Sequence, residues 1–443
     1  MNEFAAVCAA ASGGMFMSSE KFSSYDVLNL FFDDGSFHQT DAYLKSGSGD
    51  AEAVTGFGTV DGVPVFAFAQ NVDVCGGAMS KAQAKKITKL YNAALKTGAP
   101  VVGFYDSVGG RLDQKYELLS AYGDILRKSA KLSGVVPQIS VILGSCLGTS
   151  ALTAAASDYI IMEKNAELSA DTTGGNASSD ANEKAGVASF VCEGVQDCVE
   201  KAKTLLGYFP ANNLEPAPAF ETVPAYEAPD KLPKYFADDK SLLCVGGGYG
   251  EGVCTAFGRV NGYPVGIVVT NGGVVTDEAA GKIKKHVRFC DAFSLPVITI
   301  VDAERFESIG GASGLVSVYA DATTAKIAII KGSAVGAVYI ALAGSTSGAD
   351  LVYALPEAVV SPVAPKAAAF ILDDSIAGAP VSEQDALADA FVKENLSAVK
   401  AAQDGYVDDI TEPSELRAKI VAALDMLSSK RVSTLPKKHT TNI

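Results

Sequence analysis

Two apolar stretches of the chain each end in a turn of small residues. The run from Val135 to Leu143 leads into GSCLGTS at 144–150, and the run from Ile327 to Ile330 leads into GSAVGAV at 332–338. This pattern predicts a buried strand, a tight turn and the start of a helix rich in small residues. Because the first N–H groups of a helix have no partner inside it, each turn is predicted to hold an oxyanion.

The same alternation of apolar and polar positions occurs twice along the chain. The segment GFGTVDGVPV at 56–65 returns as AFGRVNGYPV at 256–265, and GAPVVGFYD at 98–106 returns as SLPVITIVD at 294–302. Since the glycine turns follow in the same order, we interpret the chain as a tandem duplication.

Each copy contains the same series of predicted elements. Hairpins are expected around Asp61-Gly62 and Asn261-Gly262, because both dipeptides favour two-residue turns. A charged helix follows in each copy, and then a buried strand that ends at Asp106 or Asp302. Repeated strand–strand–helix units predict an α/β fold with mostly parallel strands.

The charged helices run from Ser80 to Lys96 and from Thr276 to Phe293. Basic residues recur in them at helical spacing, at positions 81, 85, 86 and 89 and at positions 282, 284, 285 and 288. A solvated helix face is the simpler interpretation, and a phosphate-binding surface is the alternative.

A segment rich in proline separates the two copies. Six prolines lie between Pro210 and Asp239, and proline both fixes φ and removes a backbone donor. We therefore predict an N-terminal domain at 1–209, a linker at 210–242 and a C-terminal domain at 243–443. Near the end of the chain, helices are expected from about Pro380 to Ala401 and from Glu412 to Leu427.

Composition narrows the class of protein. The chain has 443 residues, of which 48% are apolar and 20% charged, as in a soluble globular protein with large cores. The net charge of −15 argues against a nucleic-acid partner. Residues Met1 to Met17 favour a packed helix over a signal peptide, and uninterrupted apolar runs of membrane-spanning length are absent from the sequence. A cytoplasmic protein is therefore expected.

Common catalytic motifs are missing from the sequence. Neither a Gly-x-Ser-x-Gly elbow nor a Walker motif occurs, and the cysteines show no Cys-x-x-Cys spacing. The three histidines, at 38, 286 and 439, have no metal-binding spacing, so no metal is predicted in this chain. An enzyme of this composition would act by positioning and by backbone N–H donors, which suits chemistry that passes through a thioester enolate.

Several segments together resemble one family of enzymes. They are DGSF at 34–37, GFGTVDG at 56–62, SGVVPQIS at 133–140, LLGYFPANN at 205–213, RFCDAF at 288–293, ADLVYALP at 349–356, GYVDDI at 405–410 and LPKKH at 435–439. The chain is similar in these segments to the carboxyltransferase subunits of biotin-dependent acyl-CoA carboxylases, such as the β subunit of propionyl-CoA carboxylase. It also resembles the corresponding subunits of methylmalonyl-CoA and glutaconyl-CoA decarboxylases.

This resemblance implies two tandem crotonase-like domains and a homo-oligomer, commonly a hexamer built as a trimer of dimers. The acyl-CoA site would lie between the first domain of one subunit and the second domain of its partner. The resemblance also implies a carboxyl transfer between carboxybiotin and the α-carbon of a short-chain acyl-CoA, with propionyl- or methylmalonyl-CoA favoured. Carboxybiotin would release CO2, its N1 anion would take the α-proton, and the enolate would attack CO2; a decarboxylase would run the same steps backwards.

The family's functional residues map onto the two turns. The N–H groups of Gly148 and Thr149 would hold the thioester oxygen, and those of Ala337 and Val338, flanked by Gly336, would hold the ureido oxygen of biotin. The remaining positions that the resemblance assigns to substrate binding are Gly109, Gly110, Arg111, Ser145, Cys146 and Ser333. Thr149 and Val338 replace smaller family residues and are expected to narrow the pocket.

The resemblance implies further partners and leaves two alternatives open. An Ala-Met-Lys-Met sequence for biotin attachment is absent, so biotin would arrive on a separate carrier, with a biotin carboxylase or decarboxylase subunits as further partners. One alternative is a crotonase-type enoyl-CoA hydratase or isomerase, which needs a Glu or Asp base near the Gly148 turn that the sequence alone does not place. The other is a non-catalytic scaffold subunit beside an active paralogue.

Overall fold

The computed structural model describes residues 22–47, 49–171, 175–220 and 232–432. The helix predicted at Met1 to Met17 lies outside these residues. The described chain forms two compact units: the first contains the residues up to Pro218 and residues 246–248, and the second contains the other residues from 219 onward.

The first unit contains six helices and ten strands among its described residues. The helices are α1 (Ser24–Phe31), α2 (Lys81–Thr97), α3 (Tyr116–Leu132), α4 (Thr149–Ala155), α5 (Ser179–Lys184) and α6 (Val195–Leu206). The strands are β1 (His38–Thr40), β2 (Lys45–Ser46), β3 (Gly49–Asp50), β4 (Ala53–Val60), β5 (Val63–Gln70), β6 (Val101–Ser107), β7 (Gln138–Leu147), β8 (Tyr159–Glu163), β9 (Glu167–Ser169) and β10 (Phe190–Cys192). Short 3₁₀ turns lie at Cys75–Gly77 and Leu112–Gln114.

The second unit follows the same order and adds helices at its C-terminal end. Its helices are α7 (Leu232–Phe236), α8 (Asp277–Ala292), α9 (Ile309–Asp321), α10 (Pro365–Leu372), α11 (Asp374–Gly378), α12 (Val381–Asn395), α13 (Ala398–Gln403) and α14 (Pro413–Leu427). Its strands are β11 (Leu243–Val245), β12 (Val253–Val260), β13 (Tyr263–Thr270), β14 (Val274–Val275), β15 (Val297–Ala303), β16 (Arg305–Phe306), β17 (Lys326–Val335), β18 (Leu351–Ala354), β19 (Val359–Ser361) and β20 (Asp409–Ile410). A π-helical turn at Tyr339–Ala343 and a 3₁₀ turn at Ser345–Ser347 follow β17.

The two main sheets have the same topology. The first runs β1-β4-β5-β6-β7-β8-β10 with β9 beside β7, and the second runs β11-β12-β13-β15-β17-β18-β20 with β19 beside β17. The hairpin strands pair antiparallel, and the central strands pair parallel. The predicted α/β fold with two tandem copies and mostly parallel central strands is therefore confirmed. The carboxyl ends of β6 and β7, and of β15 and β17, meet at one edge of their sheets.

Helices cover both faces of the first sheet. Phe104 of β6 contacts Phe31 of α1, with ring centroids 5.3 Å apart. The next residue, Tyr105, belongs to the core that α2 and α3 contribute to, together with Tyr91 and Ile125. Because successive strand residues point to opposite faces, α1 lies on one face of the sheet and α2 with α3 on the other.

An aspartate that the sequence pattern did not reveal is hydrogen-bonded to each predicted hairpin turn. Asp33 accepts hydrogen bonds from the N–H groups of Asp61 (3.0 Å) and Gly62 (2.9 Å). Asp238 does the same for Asn261 (3.1 Å) and Gly262 (2.7 Å). These aspartates belong to the matching segments FFDDGS at 31–36 and FADDKS at 236–241.

The duplicated unit consequently begins before residue 243. Helix α7 precedes Asp238 as α1 precedes Asp33, and Phe236 of α7 is fully buried in the core of the second unit. The last part of the predicted linker, 232–242, is therefore structural; the other predicted domain boundaries stay predictions. The single helix predicted from Pro380 to Ala401 is wrong, because Ser397 caps a separate helix, α13, after α12 has ended.

One lysine on each charged helix is buried. Lys86 of α2 donates to the carbonyl of Ala53 (2.7 Å), and Lys282 of α8 donates to the carbonyls of Tyr249 (2.8 Å) and Val253 (3.1 Å). Burial lowers the pKa of both amines. In each unit, the buried lysine links its helix to the hairpin by hydrogen bonds. Neither lysine therefore belongs to the predicted solvated face.

An aspartate near the end of one central strand requires a glycine on the neighbouring strand in each unit. The carboxylate of Asp302 accepts a hydrogen bond from the N–H of Ser333 (3.0 Å) and lies against the α-carbon of Gly332. Asp106 lies against Gly144 in the same way. A β-carbon at either glycine would overlap a carboxylate oxygen, so both positions require glycine.

Replacing Gly332 with alanine is expected to destabilise the protein by about 1–3 kcal/mol, since the added methyl group must displace the Asp302 carboxylate. Urea unfolding of the full chain measures the change. Gly123 in α3 has no neighbouring heavy atom within 4 Å of its missing β-carbon, so Gly123→Ala is the matched control and should be neutral or slightly stabilising. Equal midpoints for Gly332→Ala and wild type would show that the contact carries no strain.

His286 makes the second unit sensitive to acid. Its ring is buried against Phe257, with ring centroids 4.9 Å apart. Burial, together with the nearby Lys282, lowers the pKa of His286 from 6.5 to about 3.

Because His286 binds a proton more readily in the unfolded chain, its contribution to stability is complete above pH 6.5 and is lost as the pH falls from 6.5 towards 3. The slope from this one group is at most about 1.4 kcal/mol per pH unit. His286→Leu should flatten the pH dependence of thermal stability in this window. An identical acid profile for wild type and His286→Leu would contradict this assignment.

Candidate active site

The first predicted turn is shorter than its sequence suggests. Residues Gly144 to Leu147 continue strand β7, because they pair with β9; Ser145 lies opposite Glu167. The chain turns only at Gly148, whose φ of 68° and ψ of −138° favour glycine, and α4 begins at Thr149.

The N–H of Gly148 is already bonded within the protein. It donates to the carbonyl of Ser169 at 2.8 Å, which extends the pairing of β7 with β9. The predicted role of Gly148 as an oxyanion donor does not fit this geometry. In the described part of the chain, the N–H groups of Thr149 and Ser150 have no acceptor, and no side chain caps the helix.

The second turn has the same arrangement. Gly336, with φ of 50°, donates to the carbonyl of Ser361 at 2.8 Å. The N–H groups of Ala337 and Val338 find no acceptor among the described residues. The duplication thus makes Thr149 and Ser150 the counterparts of Ala337 and Val338.

The side chains at the two turns also correspond. Thr149 and Ala337 are exposed, whereas Ser150 and Val338 are fully buried. The isopropyl group of Val338 therefore packs inside the second unit and does not narrow a pocket, contrary to the prediction. Of the two residues that replace smaller family residues, only Thr149 is exposed to solvent.

The loop after β6 lies at the same edge of the sheet as the first turn, because Ser107 pairs with Cys146. The N–H of Gly109 donates to Ser107 Oγ (3.1 Å), and the carbonyl of Gly109 accepts from Met79 (2.8 Å). The N–H of Gly110, between these bonded neighbours, has no acceptor in the described structure. Gly110 thus supplies a further open donor at the edge of the sheet that carries the first turn.

Arg111 is bound to carboxylates of its own unit. Its guanidinium contacts Asp113 at 2.6 Å and the fully buried Glu52 at 3.1 Å, and Glu52 also accepts from Ser80. Both carboxylates, Asp113 first, raise the pKa of Arg111. Arg111 therefore anchors the loop in this structure, and its predicted contact with substrate stays a prediction.

The other predicted substrate-binding residues lie along the strands that lead to the turns. Ser145 Oγ is 3.2 Å from Glu167 Oε2. Cys146 is fully buried, and burial raises the pKa of its thiol to about 12, so it packs in the core as a neutral group. Ser333 is bound through its N–H to Asp302. Direct contacts of these residues with a substrate stay predictions.

Two features are absent from the described residues. No group of three or more His, Cys, Asp or Glu side chains in this part of the chain has the arrangement of a metal site. None of the described helices combines the length and the apolar character that crossing a membrane requires.

The chain is similar to known carboxyltransferase and decarboxylase subunits over nearly its whole length. Residues 18–443 match the carboxyl transferase domain family. The methylmalonyl-CoA decarboxylase subunit alpha of Veillonella parvula is 34% identical over 95% of this chain and 92% of its own length. The methylmalonyl-CoA carboxyltransferase 12S subunit of Propionibacterium freudenreichii subsp. shermanii is 32% identical over 95% of this chain and 91% of its own length.

A solved structure matches over the same range. The transcarboxylase 12S crystal structure, described as a hexamer assembly with hydrolysed methylmalonyl-coenzyme A bound, has a TM-score of 0.89 and 30% identity, covering 95% of this chain and 93% of the other. Because sequence and fold agree over nearly the whole length, the chain belongs to the carboxyl transferase domain family.

Proposed function

We propose that this chain is the carboxyltransferase component of a biotin-dependent acyl-CoA carboxylase or decarboxylase. It moves a carboxyl group between carboxybiotin and the α-carbon of a short-chain acyl-CoA, with propionyl- and methylmalonyl-CoA as the favoured pair. The observation that carries this proposal is the duplicated turn, which leaves two consecutive N–H groups without acceptors in each unit, the first of them on an exposed residue. The relatives named for methylmalonyl-CoA support the choice of substrate.

The N–H groups of each turn bind one of the two oxygens on which negative charge develops during the reaction. In the first unit, Thr149 N–H, with Ser150 and Gly110 as neighbouring donors, holds the thioester oxygen. In the second unit, Ala337 and Val338 hold the ureido oxygen of biotin, which is carried by a separate subunit. Two fixed donors in a dry site stabilise a developing enolate or ureido anion, and losing one donor typically costs about 2.7–4 kcal/mol.

The proposed chemistry needs no acid or base from this chain. Bound carboxybiotin supplies the carboxyl group and the base, so the residues of the chain bind, orient and exclude water. The thiol of Cys146 is buried and neutral, and the carboxylate of Asp302 accepts a hydrogen bond from Ser333. Both groups therefore have a structural role, which is consistent with chemistry that takes no acid or base from this chain.

A second copy of the chain completes the proposed site. Four large apolar side chains between residues 108 and 119 are mostly exposed, beside the Gly110 loop: Val108, Leu112, Tyr116 and Leu119. An exposed cluster of this kind marks an interaction surface. We propose a hexameric homo-oligomer in the cytoplasm, which associates with a biotin carrier and with a biotin carboxylase or decarboxylase subunits.

A panel of thioesters tests the proposal by thermal shift. The full chain is heated with free CoA and with acetyl-, propionyl-, malonyl-, methylmalonyl- and glutaconyl-CoA. A ligand at 100 times its Kd stabilises the folded state by about 2.7 kcal/mol, so propionyl- and methylmalonyl-CoA should raise Tm above free CoA. The same Tm with every thioester and with buffer would contradict the proposal and favour the scaffold hypothesis.

Glu167 gives the hydratase alternative a specific candidate. Its carboxylate contacts Ser145 on the strand that leads to Gly148, where a crotonase-type base is needed. This alternative predicts hydration of enoyl-CoA without biotin, and loss of that activity in Glu167→Gln. Turnover of enoyl-CoA by wild type without any carboxyl transfer would establish it in place of the carboxyltransferase.

A further inference from the structure

The side chain of Ser150, which directly follows Thr149 at the start of α4, carries a buried hydroxyl without a partner. Ser150 is fully buried, and its Oγ makes no hydrogen bond among the described residues. A hydroxyl that is removed from water in this way lowers the stability of the folded chain. Packing alone therefore does not account for a serine at this position.

The second unit forms the same turn with apolar side chains. Val338 occupies the position of Ser150, and Ala334 occupies that of Cys146; both are fully buried. The glycine that precedes each helical turn makes the same kind of hydrogen bond in both units, to the last residue of the neighbouring short strand. Since the fold accepts apolar residues at both positions, the hydroxyl and the thiol are features of the first unit alone.

Tyr122 of α3 lies next to this hydroxyl and next to the Gly110 loop. A β-carbon built on Gly110 would lie 3.2 Å from Tyr122 Oη, so the phenol packs against the backbone of the loop. Burial raises the pKa of Tyr122 and of Cys146 to about 12, and the nearby Ser150 hydroxyl opposes that rise in both groups. Tyr122 and Cys146 belong to the core that α2 and α3 contribute to. Tyr122 therefore adjoins both segments of the first unit that carry open N–H groups.

We infer that Tyr122 and Ser150 are positioning residues, which hold the N–H groups of Thr149 and Gly110 in a fixed relation around the thioester oxygen. Hydrogen bonds in active sites often shorten when the substrate is bound. In the complex, the Tyr122 hydroxyl donates to Ser150 Oγ, and the Ser150 hydroxyl donates to the sulfur of Cys146. Both side chains act through the backbone donors and do not contact the substrate. The inference rests on the proposed function, in which these donors bind an acyl-CoA.

Removing the two hydroxyls, singly and together, tests this inference. Tyr122→Phe and Ser150→Ala each delete one oxygen atom, and the double variant deletes both. Tyr91→Phe is the matched control, because it removes a buried hydroxyl from the same core. For each full-length variant, kcat and KM are measured for the transfer of carboxyl from methylmalonyl-CoA to free biotin. Thermal unfolding separates a loss of stability from a loss of turnover.

Each single variant should lower kcat by about 10- to 100-fold and leave KM for methylmalonyl-CoA within about two-fold, because the displaced donors act in the transition state. The double variant should lose no more than the weaker single variant, since both hydroxyls act through one hydrogen bond. Ser150→Ala should unfold at the wild-type temperature or above it, because it removes an unpaired buried hydroxyl. Tyr91→Phe should keep the wild-type kcat.

Wild-type kcat in both single variants, or losses that multiply in the double variant, would overturn the inference. A fall in kcat that occurs only together with a lower unfolding temperature would also overturn it, because such a fall indicates a structural role alone. Wild type that transfers no carboxyl would instead remove the proposed function, and this inference with it.

Discussion

Replacing Thr149 with proline is expected to lower kcat/KM for carboxyl transfer by about 10²- to 10³-fold, because it deletes one N–H donor to the thioester oxygen. Thr149 is the first residue of α4, and proline is tolerated at the first position of a helix. The substitution therefore removes the donor without breaking the helix. Steady-state assays with methylmalonyl-CoA and free biotin measure the loss.

Thr149→Ala is the matched control, since it changes the exposed side chain and keeps the N–H. It should stay within a few-fold of wild type, and both variants should have similar unfolding temperatures. Wild-type turnover by Thr149→Pro would show that this N–H is not a donor. Gly148→Pro is a poorer test, because Gly148 has a φ of 68° that proline cannot adopt and its N–H is bonded to Ser169.

Replacing Ala337 with proline is expected to impair carboxyl transfer to biotin without weakening the binding of acyl-CoA. It deletes an open donor in the second unit, so carboxyl transfer to biotin should fall by about 10²- to 10³-fold. Binding of acyl-CoA should be unchanged, because the thioester donors lie in the first unit. Transfer assays and calorimetry with propionyl-CoA measure the two effects.

Ala337→Thr provides the control for this variant, since it keeps the N–H and reproduces the residue found at Thr149. Its transfer rate should remain close to wild type. If Ala337→Pro weakened acyl-CoA binding as much as Thr149→Pro did, the division of the two turns between thioester and biotin would be contradicted.

Local patterns predicted most elements of the fold, because the signals for them lie close together in sequence. The dipeptides Asp61-Gly62 and Asn261-Gly262 form the predicted hairpins. The matching aspartates Asp33 and Asp238 were missed, because their shared segment is only six residues long and its second copy lies in a stretch that the prolines mark as a linker.

The donors at the turns could not be assigned from local sequence. Whether Gly148 or Thr149 offers a free N–H depends on the pairing of β7 with β9, about 20 residues further along the chain. The burial of Lys86 and Lys282 has a similar cause, because a helical pattern of lysines does not show which of them meets the carbonyls of a neighbouring strand.

The proposed carboxyl transfer is tested by following labelled carboxyl from methylmalonyl-CoA to free biotin in the presence of the full chain. We expect labelled carboxybiotin and propionyl-CoA in equal amounts with wild type, and strongly reduced transfer with both Thr149→Pro and Ala337→Pro. Wild type that binds acyl-CoA yet forms no carboxybiotin, or equal transfer by wild type and both proline variants, would contradict it.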